Sequence, residues 1–431
     1  MPEILPFRAL RYNPAHVELS TAVTQPYDKI TPAMQAGYYA AGPYNLVRII
    51  LGRSEPGDDH THNVYSRAAD NLRRWRSQGI FAQDRAPAIY IYSQQFTVPA
   101  SSQQAERRGF IAAGRLYDYS EAVVFRHEQT LAKPKSDRLN LLRATRAHFG
   151  QIFMLYSDPE QQLASLLSTS APPVTSVRDE YGVLHQLWPV SDPAAIARMQ
   201  SLMRDKKLLI ADGHHRYETA LNYRNERRAE CGCKNAAPYD YVMMTLINME
   251  SPGLIILPTH RVLSGLSSSQ KAQLLPALEP YFSCTDLPAS DLNSAMQQLA
   301  TAGRDKTAFL LATVAKLHLL TAKPGKINAA LDSLSPLQRQ LDVTALHNLV
   351  LENLLGLPEE SIRNQENISY HRDAAEAVAR VRDAGADFAF LMNPVRNEQM
   401  RDIAFAGEVM PQKSTDFYPK LLSGLTIYAL A

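Results

Sequence analysis

Residues 208–220 read LLIADGHHRYETA. An apolar run ends at Asp212, Gly213 follows, then His214, His215 and Arg216, and then a helix-like pattern in which Ala220 and Leu221 fall three and four residues after Tyr217. A strand that runs into a helix leaves the first helical N–H groups without partners. Those donors and the helix dipole attract anions, phosphate above all. Glycine lets the backbone approach a ligand or take a positive φ. Arg216 offers a planar fork suited to phosphate, and the two histidines can donate hydrogen bonds, shuttle protons or bind a metal. Asp212 can hold a magnesium ion through water or orient a histidine. Any one of these residues alone reads as a helix cap or a structural histidine; five at one junction point to a site. The segment carries neither the Gly-Lys-Ser/Thr of the Walker loop nor the dinucleotide fingerprint.

Three further polar clusters stand apart in the chain. Arg126-His127-Glu128-Gln129-Thr130 is followed by Lys133, Lys135, Asp137 and Arg138. Glu128 ends a strand-like run, where a carboxylate can take a proton from a hydroxyl substrate; the alternative is a surface ion-pair strip. Lys413-Ser414-Thr415-Asp416-Phe417-Tyr418-Pro419-Lys420 puts two lysines and two hydroxyls in one loop, side chains of the kind that contact phosphate oxygens, and such loops are also often merely solvated. Pro26-Tyr27-Asp28, with Asn45 and Arg48 beyond it, reads as a turn because proline biases its predecessor away from helix. If all are functional, they converge on one cleft.

The bulk numbers narrow the classes. The chain has 431 residues, 45% hydrophobic and 20% charged, which fits a folded protein of two or three domains. Forty-five basic against 43 acidic residues give a net charge of +2, no footprint for nucleic acid. Three cysteines, Cys231, Cys233 and Cys284, argue against a disulfide framework and for a reducing, cytoplasmic setting. Cys231 and Cys233 read as a reduced pair in a loop rather than half a zinc site, since no second pair at zinc spacing follows. The N-terminus does not read as a signal peptide. No run reaches the roughly 18 apolar residues of a membrane span.

The periodicities predict a mixed α/β chain. A helix is expected at 64–78, a hairpin from 88–98 and 107–116, a helix at 137–149 capped by Asp137, a strand at 151–158 and a second hairpin at 177–190. Asp192 and Pro193 open a helix over 192–207, and a strand and a helix flank the DGHHR segment. Beyond it, strands are expected at 239–248, 253–258, 307–312, 316–321 and 386–394, and helices at 268–279, 289–302, 343–355, 372–384 and 396–405.

IADGHHRYETA, with GRLYDYSEAVVFRHEQTLAKPKSDRLNLL before it and MPQKSTDFYPKLLSGL near the end, resembles the family called domain of unknown function 1015, over nearly the whole chain from Gln25 to Gly424. More distantly, the DGHHR segment and the earlier His-Glu pair are similar to those of free-serine kinases of the ParB/sulfiredoxin-like superfamily. That resemblance implies a ParB/sulfiredoxin-like core at 121–250, between a β-rich part at 1–120 and an α+β part at 251–431. It implies that Asp212, Gly213, His214, His215 and Arg216 hold nucleotide phosphates and that Glu128, after His127, is the base toward a hydroxyl. Gly213-His214-His215-Arg216 also fits the Gly-x-x-Arg spacing with which ParB holds a nucleotide. The interval between His127-Glu128 and the DGHHR segment is much longer here than in those kinases, and the Lys413–Lys420 loop has no named counterpart in them.

Together these readings give a phosphotransferase acting on a small hydroxyl compound, free L-serine first, with ADP or ATP as donor and Mg²⁺. Arg216 and the junction N–H groups neutralise phosphate, Glu128 accepts the hydroxyl proton, and Asp212 holds the metal or orients His214. Lys413, Ser414, Thr415 and Lys420 bind a substrate carboxylate or an outer phosphate, with Tyr27, Asp28, Lys135 and Arg138 as further candidates. Two alternatives share the site: a phosphoester hydrolase with His214 and His215 on a metal, and a nucleotide-binding switch without turnover.

Overall fold

The computed structural model describes the chain except residues 129–131, 233–234 and 431, and the side chains of 132–134. It is mixed α/β and divides into two compact units. The first comprises Met1–Arg126, Thr130–Ile255 and Pro419–Ala431, the second His127–Gln129 and Ile256–Tyr418.

The first unit is built on a nine-stranded mixed sheet. Its strands run in the order Val124–Phe125, Leu208–Asp212, Ile152–Tyr156, Tyr241–Asn248, Gln104–Arg115, Ile89–Thr97, Leu184–Val190 and Thr175–Arg178, with Ile4–Leu5 also paired on Gln104–Arg115. Leu208–Asp212 is parallel to Val124–Phe125 and antiparallel to Ile152–Tyr156. Strands from both sides of residue 120 therefore share one sheet. Alternation sorts the central strands. Ile152, Met154, Leu208, Ile210, Val242, Met244 and Leu246 face a core shared with Ile196, Met199 and Met203 of the helix Pro193–Met203 and with Tyr217, Ala220 and Leu221 of the helix His214–Cys231. Residues of opposite parity, among them Phe153, Leu155, Leu209 and Ala211, are buried as well. A strand covered on both faces reads as a continuous apolar run, and LLIA is one.

A buried polar network lies among the other residues of this unit. Arg107, fully buried, donates from Nε at 3.1 Å and Nη2 at 2.5 Å to Gln94 Oε1 and from Nη2 to the Pro419 carbonyl. Gln94 Nε2 donates to the Lys420 carbonyl at 2.8 Å. These bonds fasten the C-terminal segment to the sheet beside the DGHHR junction, and a buried charge requires partners of this kind.

The second unit holds a six-stranded antiparallel sheet in the order Phe282–Leu287, Leu317–Ala322, Ala308–Ala312, Phe388–Met392, His260–Leu263, Ile368–His371. Ala308, Leu310 and Ala312 face one core, with Ala295 and Leu299 of the helix Leu292–Ala302 and Ala377, Val378 and Val381 of the helix Ala374–Asp383. Phe309 and Leu311 face the other, with Leu274, Leu278, Leu346, Leu349 and Val350.

Most expected elements are present. The helix Val64–Ser77 is closed by a capping box from Asn63 and Ser66, and Asp192 Oδ2 accepts the Ala195 N–H at 2.8 Å. The helix expected at 137–149 is corrected: it spans Ala132–Thr145 and gives way to a short strand, Ala147–His148. Asp137 lies inside it, not at its cap, and accepts from Tyr65 Oη at 2.9 Å and from Arg138 Nε at 2.8 Å. A proline in a first turn is compatible with helix, so the Lys-Pro-Lys run did not delay it. The expected helix at 343–355 begins with one turn, Asp342–Thr344, and continues as a wider π-helical coil over Ala345–Leu354.

Candidate functional site

The strand Leu208–Asp212 slips register between Ile210 and Asp212, so that Asp212 faces Phe153. Such a bulge re-aims a side chain at a strand end. Gly213 then takes φ +96°, ψ 25° and starts the helix His214–Cys231. That left-handed turn favours glycine, and a Cβ there would also stand 3.1 Å from Arg216 Cζ. Gly213 has no side chain with which to cap the helix, so the first turn opens without a side-chain cap.

Asp212 is the electrostatic centre. Arg216 Nη2 donates to its Oδ2 at 2.8 Å, and Lys420 Nζ stands 3.8 Å from Oδ1. Burial alone would raise the Asp212 carboxyl, but Lys420, Arg216, Lys29 and His214 outweigh it and hold the group below the usual carboxylate range. Arg216 also donates through Nη1 to the Gln151 carbonyl. Two of its five N–H donors are thus spent on fixing the fork in place. His214 is buried, and loss of solvent pushes its imidazole down to about 4. Near neutral pH it offers a ligand an N–H, not a charge. His215 is half-buried beside it.

Tyr27 and Arg138 form one wall of this unit's small cavity, about 70 Å³, together with His148, Gly150, Arg216 and Ser423. That is below the roughly 300–1,000 Å³ of ordinary ligand pockets and large enough for an inorganic anion or waters. The Arg138 guanidinium lies 4.1 Å over the Tyr27 ring, and its Nη1 donates to the Ile50 carbonyl at 2.6 Å. Burial, with Asp28 next in effect, raises the Tyr27 hydroxyl; Asp28 itself is exposed. Lys135 pairs with Glu218, which also accepts from Tyr119 Oη at 3.3 Å and has Arg126 Nη1 at 3.6 Å. Asn45 and Arg48 are bound to carbonyls of their own region, Thr21 and Tyr39.

The other clusters lie in the second unit. His127 is buried, with Nε2 at 2.9 Å from Thr415 Oγ1. Glu128 Oε1 accepts the Lys413 N–H at 3.1 Å, and the His127 carbonyl accepts from Met410 N at 2.9 Å. Lys413 is exposed with φ +57°, and the Ser414 hydroxyl donates to the Pro411 carbonyl. The structure thus brings His127, Glu128, Lys413 and Thr415 together, and separately Asp212, Gly213, Arg216 and Lys420. Gln129, Thr130 and Cys233, and the side chain of Lys133, lie outside the described residues.

Both Asp212 oxygens face cations, which does not fit an Mg²⁺ ion held by this carboxylate. Among the described residues, neither Asp212 nor the His214–His215 pair belongs to a group of three His, Cys, Asp or Glu side chains spaced to hold a metal; Cys284, Asp286 and His318 do. Cys231 is disulfide-bonded, which corrects its reading as a reduced thiol, and Cys284 is free. Sequence reading missed Lys29, Gln151, Glu218 and Arg107. Arg107 had a signal: it shares a strand face with Gly109, Ile111 and Ala113, a charge next to an apolar stripe.

The family model described as "Protein of unknown function (DUF1015)" matches residues 4–344, and the chain belongs to this family. No curated protein matches the chain. Among solved structures, a conserved hypothetical protein from Pyrococcus furiosus is 13% identical, with 70% of this chain and 91% of that one covered and a TM-score of 0.35. A free serine kinase variant in complex with ADP is 13% identical, with 68% and 84% covered and a TM-score of 0.34. SbnI with a C-terminal truncation, from Staphylococcus aureus, is 9% identical, with 71% and 84% covered and a TM-score of 0.34. Among the described residues, no helix is long and apolar enough to cross a membrane.

Proposed function

We propose that this member of the DUF1015 family is a nucleotide-dependent phosphotransferase acting on a small hydroxyl compound, with free L-serine the first substrate to test and ADP or ATP the donor. One observation carries the proposal. An uncapped helix start, a left-handed glycine, the Arg216 fork and Lys420 converge on Asp212. The distant fold likeness to serine kinases carries none of it.

Phosphoryl transfer asks a protein chiefly to place groups and to neutralise spread negative charge. A phosphate arriving at the junction meets N–H groups from Gly213 to Arg216 and competes with Asp212 for the two cations. Arg216 then exchanges one charge-assisted bond for another, which keeps its fork from being left unpaired in either state. His214, held neutral by burial, and His215 add donors. The motif resemblance assigns the base to Glu128, oriented in its own cluster by the Lys413 N–H, with His127 behind it.

The test is calorimetric titration with ADP, ATP and CTP, followed by phosphorus NMR of the bound nucleotide mixed with L-serine. Phosphoserine is expected. Glu128→Gln should lower turnover about a hundredfold with little loss of nucleotide binding, whereas Arg216→Ala should weaken binding itself. A chain that binds none of the three nucleotides is not a phosphotransferase of this kind.

A further inference from the structure

The second unit contains a cavity of about 400 Å³ that no part of the proposed reaction uses. Six basic residues line it: Arg261, Arg304, Lys306, Lys323, Arg339 and Arg396. Two carboxylates, Asp305 and Asp342, oppose them. Burial pushes Asp342 up to about 7, and even fully ionised the two carboxylates leave the cations in excess.

Arg261 is the telling residue. It sits on the strand His260–Leu263, paired on both sides, and is 2% exposed. Val262 points into one core and Leu263 into the other, so neither sheet face gives residue 261 open solvent. Its Nη1 donates to the Thr259 carbonyl, its Nη2 to the Lys413 carbonyl at 3.1 Å, and its guanidinium lies 5.6 Å over the Tyr370 ring. Its buried Nε has no hydrogen-bond partner, and among the described residues no carboxylate pairs with it. His260 and His347 nearby are pushed down by burial and supply no negative charge. Taking an arginine out of water without a counter-charge is costly. Arg339 Nε, on the same wall, is likewise buried without a partner. Ser414 brings a hydroxyl-bearing residue to the lining.

We propose that this cavity binds a small organic anion bearing two or more phosphate-type charges, with Arg261 as its buried anchor and Arg304, Lys306 and Arg396 as its exposed rim. The volume is that of a small-molecule site. The excess of fixed cations over carboxylates exceeds what one carboxylate ligand would neutralise, and guanidinium forks match phosphate oxygens. The proposal does not depend on the strand–helix junction of the first unit.

The experiment uses the full chain carrying Arg216→Ala, so that the junction contributes nothing, titrated with inorganic pyrophosphate at fixed ionic strength. One equivalent is expected to bind. Arg396→Glu and Lys306→Glu, both on exposed positions, should each weaken binding about tenfold or more, and Arg261→Met should abolish it in a chain that still unfolds cooperatively. If Arg261→Met fails to fold, the two rim variants decide alone. Binding as tight in both rim variants as in their parent overturns the proposal, and so does the absence of pyrophosphate binding at millimolar concentration.

Discussion

Arg216 Nη2 reaches back across one turn to Asp212 Oδ2 at 2.8 Å, past a glycine whose φ is +96°. The contact is possible because Gly213 has no side chain. A Cβ would meet Arg216 Cζ at 3.1 Å and its Nε and Nη2 at 3.2 Å. Gly213→Ala therefore combines a disfavoured left-handed backbone with displacement of the guanidinium. It should cost about 1–3 kcal/mol of stability and weaken nucleotide binding as well, read by thermal unfolding and by calorimetry. Equal binding in the variant would show that the fork has no part in holding phosphate.

The strand and the helix of this junction were legible because apolar run, glycine and helical spacing follow one another without interruption in LLIADGHHRYETA. Asp192-Pro193 was legible for a similar reason, a cap and a first-turn proline in sequence. Elements without an apolar stripe were not. The helix Pro32–Ala41 buries none of its residues, and the strands Phe282–Leu287 and Ile368–His371 are the two edges of their sheet, with exposed positions and little alternation. Arg261 was hidden for a different reason: no strand was expected over His260–Leu263, and that strand is paired on both sides. The partners of Asp212 were legible only in part, since Lys420 and Lys29 reach it from distant points of the chain.

His214 gives a pH signature. Its folded-state value, about 4, lies below the ordinary value of 6.5 because burial disfavours the imidazolium. The unfolded chain therefore takes up this proton first as pH falls. Stability from this residue is complete above about pH 6.5 and is lost progressively toward pH 4, by up to about 3 kcal/mol. The thermal midpoint of the parent should fall through that window, and His214→Gln should flatten the fall. A variant with an unchanged slope would mean that His214 is not held neutral.

The buried chain Gln25–Asp179–His185–Tyr92 sets a further expectation in the first unit. Asp179 Oδ2 accepts from Gln25 Nε2 at 3.1 Å and lies 3.2 Å from His185 Nε2, while His185 Nδ1 is 2.6 Å from Tyr92 Oη. Since both His185 ring nitrogens are engaged and the side chain is inaccessible, removing it strands two polar groups. His185→Leu should cost about 2–4 kcal/mol in denaturant unfolding. Tyr92→Phe, which leaves one nitrogen unmatched, should cost less than His185→Leu; the reverse order would deny the chain its coupling.

Asp342 titrates in the opposite sense to His214. Its Oδ1 accepts the Ala308 N–H at 3.3 Å and its Oδ2 the Asn393 Nδ2 at 3.4 Å, yet burial still lifts the carboxyl from the ordinary 3.8 to about 7. Here the folded chain holds the proton after the unfolded chain has released it. The group costs nothing below about pH 4, and stability is lost as pH rises from there to about 7, after which the loss is constant. Asp342→Asn removes the ionisation and keeps an oxygen for the Ala308 N–H. It should therefore leave the unfolding free energy nearly unchanged at pH 4 and raise it by about 1 kcal/mol or more at pH 8. An anion held by the neighbouring arginines would favour the uncharged acid, so saturating pyrophosphate should move the parent's loss of stability to higher pH. That displacement should be absent in Asp342→Asn, and its presence there would assign it to another group.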